Sequence, residues 1–221
     1  MAYSVKELIE WLESHKSVIY KRISEAEDSV GEKKKLESEL LAIASEANAT
    51  QKEIDALQKE LQDLLDDLSS SSSSEDDDDA EADQQAALRR IQQVQQEISA
   101  KKKKMEDLQK AAAAKKKKIA EQEQMLQKMR SQLANYRLAM EQLQMYFEEE
   151  RKKSLQAEGQ FSFAESIRYG SSSARGRSVS NSKINTCNEK IEECGEIKSG
   201  ISRSISGIDQ SLEKGDADRY R

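Results

Sequence analysis

Two tetrads of lysine, Lys101–Lys104 and Lys115–Lys118, are the side chains of this sequence with the plainest chemistry to offer, the neutralisation of phosphate. They stand two heptads apart around a Met-Glu-Asp-Leu-Gln-Lys-Ala-Ala-Ala-Ala spacer. Four consecutive lysines wrap the circumference of a helix rather than forming a stripe, and no aromatic residue interleaves to stack a base. The first reading is a solvated band. The alternative is a contact for nucleic acid or anionic membrane, whose affinity would fall steeply with salt. A net charge of −6 gives such a partner no global attraction. His15 is the only histidine, and no Asp, Glu or Cys around it has the spacing of a ligand set. Cys187 and Cys194 would share one helix face about 10 Å apart, too far for a disulfide within that helix. Ser69–Ser74 followed by Glu75 and Asp76–Asp79 reads as a polar spacer or a substrate for an acid-directed kinase. There is no Gly-rich phosphate loop and no Ser–His or Cys–His arrangement. The expectation is therefore no catalytic residue, no cofactor, no metal and no small-molecule substrate.

The elements that would carry these groups are helices. Charged residues make up 35% of the chain and aromatics 5%, which is poor material for a globular core. Disorder fails as an explanation because Ala, Leu, Ile, Glu, Lys and Gln recur with a helical period. Proline is absent, and one in a helix interior would cost about 3 kcal/mol. Ser4-Val-Lys-Glu7 has the pattern of a reciprocal N-terminal cap. Ile9, Leu12, Ile19, Ile23, Ala26 and Val30 follow in steps of three and four, with Trp11 as a packing anchor. The pattern stumbles at Gly31–Lys35, as a stutter or a break. It resumes at Leu36, Leu40, Ile43, Ala47, Thr50, Ile54, Leu57, Leu61, Leu64 and Leu68. Beyond the Ser/Asp segment, every seventh residue from Ile91 to Phe147 is apolar. The intervening d positions turn polar at Lys101, Lys115 and Gln122, which weakens a simple dimer core or specifies register.

The fold class expected is all-α: a long antiparallel coiled-coil hairpin, a flexible linker and a C-terminal amphipathic helix. Its arms are 4–68 and 81–154, joined by a Ser/Asp-rich loop at 69–80. At 1.5 Å per residue the arms would be about 100 and 110 Å long, and their near equality favours a hairpin. A Gly/Ser-rich linker covers 155–181, with Phe161, Phe163, Ile167 and Tyr169 able to dock on the hairpin base. A last helix covers 182–214, with Ile184, Cys187, Ile191, Cys194, Ile201, Ile205, Ile208 and Leu212 as its seam. Its glycines weaken it in isolation, so it needs a partner surface.

The function class that follows is a non-enzymatic structural or interaction protein, a scaffold or adaptor. Leu126, Leu133, Met140 and Phe147 on the second arm, with Ile191, Ile201, Ile205 and Ile208 on the last helix, are the expected contacts for another protein or a second copy. No apolar run reaches membrane-spanning length and no secretory leader opens the chain, so a cytoplasmic location is expected, with export by a leaderless route open. The helical hairpin with its polar linker and Gly/Ser/Ile-rich tail resembles helical proteins associated with bacterial type VII secretion. That resemblance implies a secreted partner or a chaperone of a larger substrate. The tyrosine–three residues–acid signal of that family is matched at Tyr3/Glu7 and at Tyr146/Glu150. Its Trp-x-Gly turn is not, since Leu12 and Glu13 follow Trp11.

Overall fold

A computed structural model describes residues 4–71, 78–167 and 174–217, with side chains described for 4–70, 84–157 and 181–213. It contains three helices, α1 (Val5–Ser71), α2 (Asp78–Ile167) and α3 (Ala174–Ala217). The chain is all-α, as expected, and among the described residues no strand occurs. Most of the Ser69–Asp79 loop lies outside the described residues, as do the side chains of Phe161, Phe163, Ile167 and Tyr169. Tyr3 lies outside them too. α2 continues to Ile167 and α3 starts at Ala174, so much of the expected 155–181 linker is helical.

α1 begins as the sequence dictates. The Glu7 backbone N–H donates to Ser4 Oγ at 3.3 Å, and Ser4 N–H donates to Glu7 Oε2 at 2.7 Å. That bond from the Ser4 backbone, with a second from its hydroxyl, holds the Glu7 carboxyl below the usual range. The helix passes Gly31 unbroken and without a phase change. Leu12, Ile19, Ala26, Lys33, Leu40, Ala47 and Ile54 occupy successive a positions seven residues apart. Neither a break nor a stutter is present. The apparent stumble arises because polar residues fill seam positions, Ser29 and Lys33 being buried with the rest.

The chain divides into two compact units, Met1–Lys33 with Gln122–Arg221, and Lys34–Glu121. In the second unit α1 and α2 pair as antiparallel helices. Leu36, Thr50, Ile54, Ile91, Val94 and Ile98 are its buried positions. Thr50 satisfies its hydroxyl on the Glu46 carbonyl at 2.9 Å. Register is written on the seam's flank by acids at every seventh residue of α1. Glu39 pairs with Lys115, Glu46 with Lys104 at 2.7 Å, Glu53 with Lys101, and Glu60 with Arg90 at 2.6 Å. As the α1 numbers rise the α2 numbers fall, which is the antiparallel order. These side chains are 30–54% exposed, so solvent screens each pair and its contribution to stability is small. Their role is to fix alignment.

The first unit is a three-helix bundle. Its core joins Leu12, Ile19 and Ala26 of α1, Leu126, Leu133, Met140 and Phe147 of α2, and Cys187, Cys194, Ile197, Ile201 and Ile208 of α3. Facing two neighbours instead of one requires a wider apolar stripe. α1 supplies it with Ile9, Ile23 and Val30 at the e positions, and α3 with Ile191, Ile205 and Leu212. α3 runs parallel to α1, since Glu13 meets Lys190, Lys16 meets Glu193 and Lys33 meets the Ser211 carbonyl. It runs antiparallel to α2, since Arg151 meets Asn188 at 3.2 Å and Arg130 meets Asp209. Gly195 permits close approach to α2. A Cβ at Gly195 would lie 3.3 Å from Gln144 Nε2, the atom that donates to the Ile191 carbonyl at 3.2 Å.

Candidate functional site

The three-helix unit holds every residue expected to contact a partner. Leu126, Leu133, Met140, Phe147, Ile201 and Ile208 are fully buried, and Ile191 and Ile205 are partly buried against the same core. The helix that completes the α2 seam is thus α3 of the same chain. An external protein would reach these side chains only by opening the bundle.

Beneath that apolar core lies a polar feature that periodicity alone did not disclose. Lys33 is fully buried, and its Nζ lies 3.4 Å from Glu123, itself 8% exposed, and donates to the Ser211 carbonyl. One side chain therefore ties α1 to both α2 and α3. The sequence signal for it was phase: Lys33 stands seven residues after Ala26 and seven before Leu40. Nearby, the hydroxyls of Ser204 and Ser211 are buried with no partner among the described residues. At the other end of α3, Lys190 bridges Glu13 and Glu193, and Lys16 reaches Glu193. Burial pulls the Lys190 amine down, but the two carboxylates outweigh it and the net shift is upward. Burial likewise raises Glu193, and pairing with Lys16 and Lys190 outweighs it, so its carboxyl is lowered. A lowered carboxyl contributes stability above its unfolded value and loses it as pH falls through the folded one, so this α1–α3 contact weakens in acid.

The reactive residue types are held quiet. Cys187 and Cys194 are free, buried thiols, and burial pushes Cys194 up to about 11. A thiol held protonated at neutral pH is a poor nucleophile. His15 stacks on Trp11 with ring centroids 4.1 Å apart, and its Nδ1 lies 2.9 Å from the Trp11 carbonyl oxygen. Among the described residues no three His, Cys, Asp or Glu side chains converge as a metal site. A cavity of about 410 Å³ at one end of the bundle is lined by serines, Thr186, Glu150, Lys183 and Cys187, with no histidine among them. Among the described residues no helix is long and apolar enough to cross a membrane.

What remains open is the α1/α2 face away from α3. α3 lies along the e positions of both helices, beside Lys16 and Ile23 on α1 and Arg130 and Gln144 on α2. The opposite flank carries the g positions. In the two-helix unit those positions of α1 hold the glutamate series. In the three-helix unit they hold Trp11, Val18, Glu25 and Glu32 on α1, and Met125, Gln132, Ala139 and Tyr146 on α2, so the flank is apolar only toward the Trp11 end. Trp11, Ala139, Leu143 and Tyr146 line a groove of about 420 Å³ with Glu7 and Gln142 at its edge. Leu138 and Met145, one position away on α2, are 52% and 62% exposed, and Tyr146 is 47% exposed. Scattered exposed apolar residues need no explanation, but Leu138 and Met145, at f positions on the outward face, adjoin the groove at Ala139 and Tyr146. No protein-family profile, no curated protein and no solved structure matches the chain.

Proposed function

We propose that this chain is a non-enzymatic helical scaffold or adaptor that binds another protein through the open α1/α2 groove of its three-helix unit. The supporting observation is an open groove lined by Trp11, Ala139, Leu143 and Tyr146, with exposed Leu138 and Met145 on the adjoining outward face of α2. An amphipathic helix with apolar anchors at i, i+3, i+4 and i+7 fits such a groove, as a fourth helix completing the unit. Secretion-associated chaperoning is the narrower form of this reading, with the substrate's helix as the occupant.

Site-specific photo-crosslinking in cells that make the protein tests it. A photoreactive residue at Met145 should yield one discrete adduct with a second protein. The same residue at Asn188, exposed on α3, should yield none. Leu138→Asp should abolish the Met145 adduct while leaving the thermal unfolding of the chain unchanged within about 0.5 kcal/mol. Equal adduct yields at Met145 and Asn188 would contradict the proposal.

A further inference from the structure

The glutamate ladder decides which lysines are available. Lys101, Lys104 and Lys115 are engaged by Glu53, Glu46 and Glu39, and Lys118 adds to the positive field that holds Glu39 ionised. Lys102, Lys103, Lys116 and Lys117 are exposed and form no ion pair among the described residues. Lys110 has only a loose 3.9 Å contact with Asp107 at a highly exposed site. These five residues all fall on e or f positions of α2. From Gln95 to Lys117 those positions hold five lysines, three glutamines and no acid. Of the eight tetrad lysines three are paired with glutamates, Lys118 stands exposed at a g position near Glu39, and the remaining four join Lys110 in a basic stripe along e and f. Lys103, Lys110 and Lys117 repeat every seven residues, about 10.5 Å, and the stripe is about 22 Å long. Supercoiling with a pitch of about 150 Å turns it by about 50° over that distance, against about 230° for the backbone of a duplex.

We propose that this stripe docks the protein on an anionic lipid surface. A straight row of cations on one face meets a planar array of headgroups along its whole length. The phosphates of a duplex wind away from a straight row, and the stripe carries neither an arginine fork for a base edge nor an aromatic ring for stacking. Lysine, a compact point charge, suits headgroup phosphate and carboxylate, which demand no bidentate geometry. The absence of exposed large apolar residues on the stripe makes the contact electrostatic and peripheral. It therefore acts within a Debye length, about 10 Å at 0.1 M salt, and the chain's net negative charge does not prevent it.

Co-sedimentation of the full chain with phosphatidylcholine vesicles containing 30% phosphatidylserine, or none, tests the proposal. Binding is expected only to the anionic vesicles at 50 mM salt, and should vanish at 0.5 M. With each lysine worth roughly fivefold near such a surface, replacing Lys102, Lys103, Lys110, Lys116 and Lys117 with Gln should cost at least about 100-fold in partitioning. Replacing Lys34, Lys35, Lys52 and Lys59 of α1 removes nearly as much charge and should cost less than about fivefold. Circular dichroism of both variants establishes that the helices persist. Equal binding to neutral vesicles, equal losses in the two variants, or tighter binding to a 20-base-pair duplex than to anionic vesicles would each overturn it.

Discussion

Replacing Lys33 with Met is expected to destabilise the three-helix unit by about 3–5 kcal/mol, the cost of breaking a buried ion pair by removing one member. Glu123 is 8% exposed and would face that loss, and the Ser211 carbonyl would lose its donor. For a unit of this size the midpoint should fall by roughly 10–18 °C, followed through the fluorescence of Trp11, which packs against this unit's core. The double variant Lys33→Met with Glu123→Leu should recover to within about 1 kcal/mol of the parent or exceed it, since removing both partners removes the desolvation cost as well. The ion pair is then a device for alignment rather than for stability. It places α1, α2 and α3 at one mutual register, where apolar side chains alone allow a slip by a heptad. A single variant that unfolds at the parental temperature would mean that the Lys33 amine is not held in a dry interior.

Leu133→Asp is expected to abolish the three-helix unit, with a loss above about 4 kcal/mol. The side chain is fully buried, so the change removes apolar burial and places an unpaired carboxylate in the core. Helical signal and Trp11 fluorescence should change together. Leu138→Asp, five residues further along α2 and half exposed, should leave both untouched. The contrast separates residues that make the fold from residues proposed to make the contact, and the two are neighbours on one helix.

The all-α fold and the antiparallel pairing were legible because each rests on a repeating signal: period, arm length and the Ser4–Glu7 cap. The seam residues were legible as apolar too, but not what covers them. A heptad records that a face is buried and carries no label for the helix that buries it. Hence Leu126, Leu133, Met140 and Phe147 read as contacts for a partner, while the structure covers them with α3. The widened stripe at Ile9, Ile23 and Val30 was the readable sign of a second neighbour. The other losses were polar. Lys33 looked like an interruption because its residue type outweighed its phase, and α3 appeared only from residue 182 because serine and glycine lower helical propensity. The lysine tetrads could not be divided into engaged and free members without Glu39, Glu46 and Glu53 opposite them. Those glutamates, seven residues apart, were there to be counted.

The central claim is that one chain closes its own seam, α3 lying parallel to α1 in the same molecule. Zero-length carbodiimide coupling of the unmodified full chain tests it most directly, because the ion pairs are themselves the reagent's targets. An equal mixture of ¹⁴N and ¹⁵N protein is coupled at micromolar concentration and the isopeptides are identified by mass. The account predicts Lys16–Glu193 and Lys190–Glu13 links, with both peptides of each link carrying the same isotope. Mixed-isotope links at these pairs would mean that α3 packs on another copy. Their absence, where the local Lys6–Glu10 pair of α1 still couples, would mean that α3 does not lie on α1 at all.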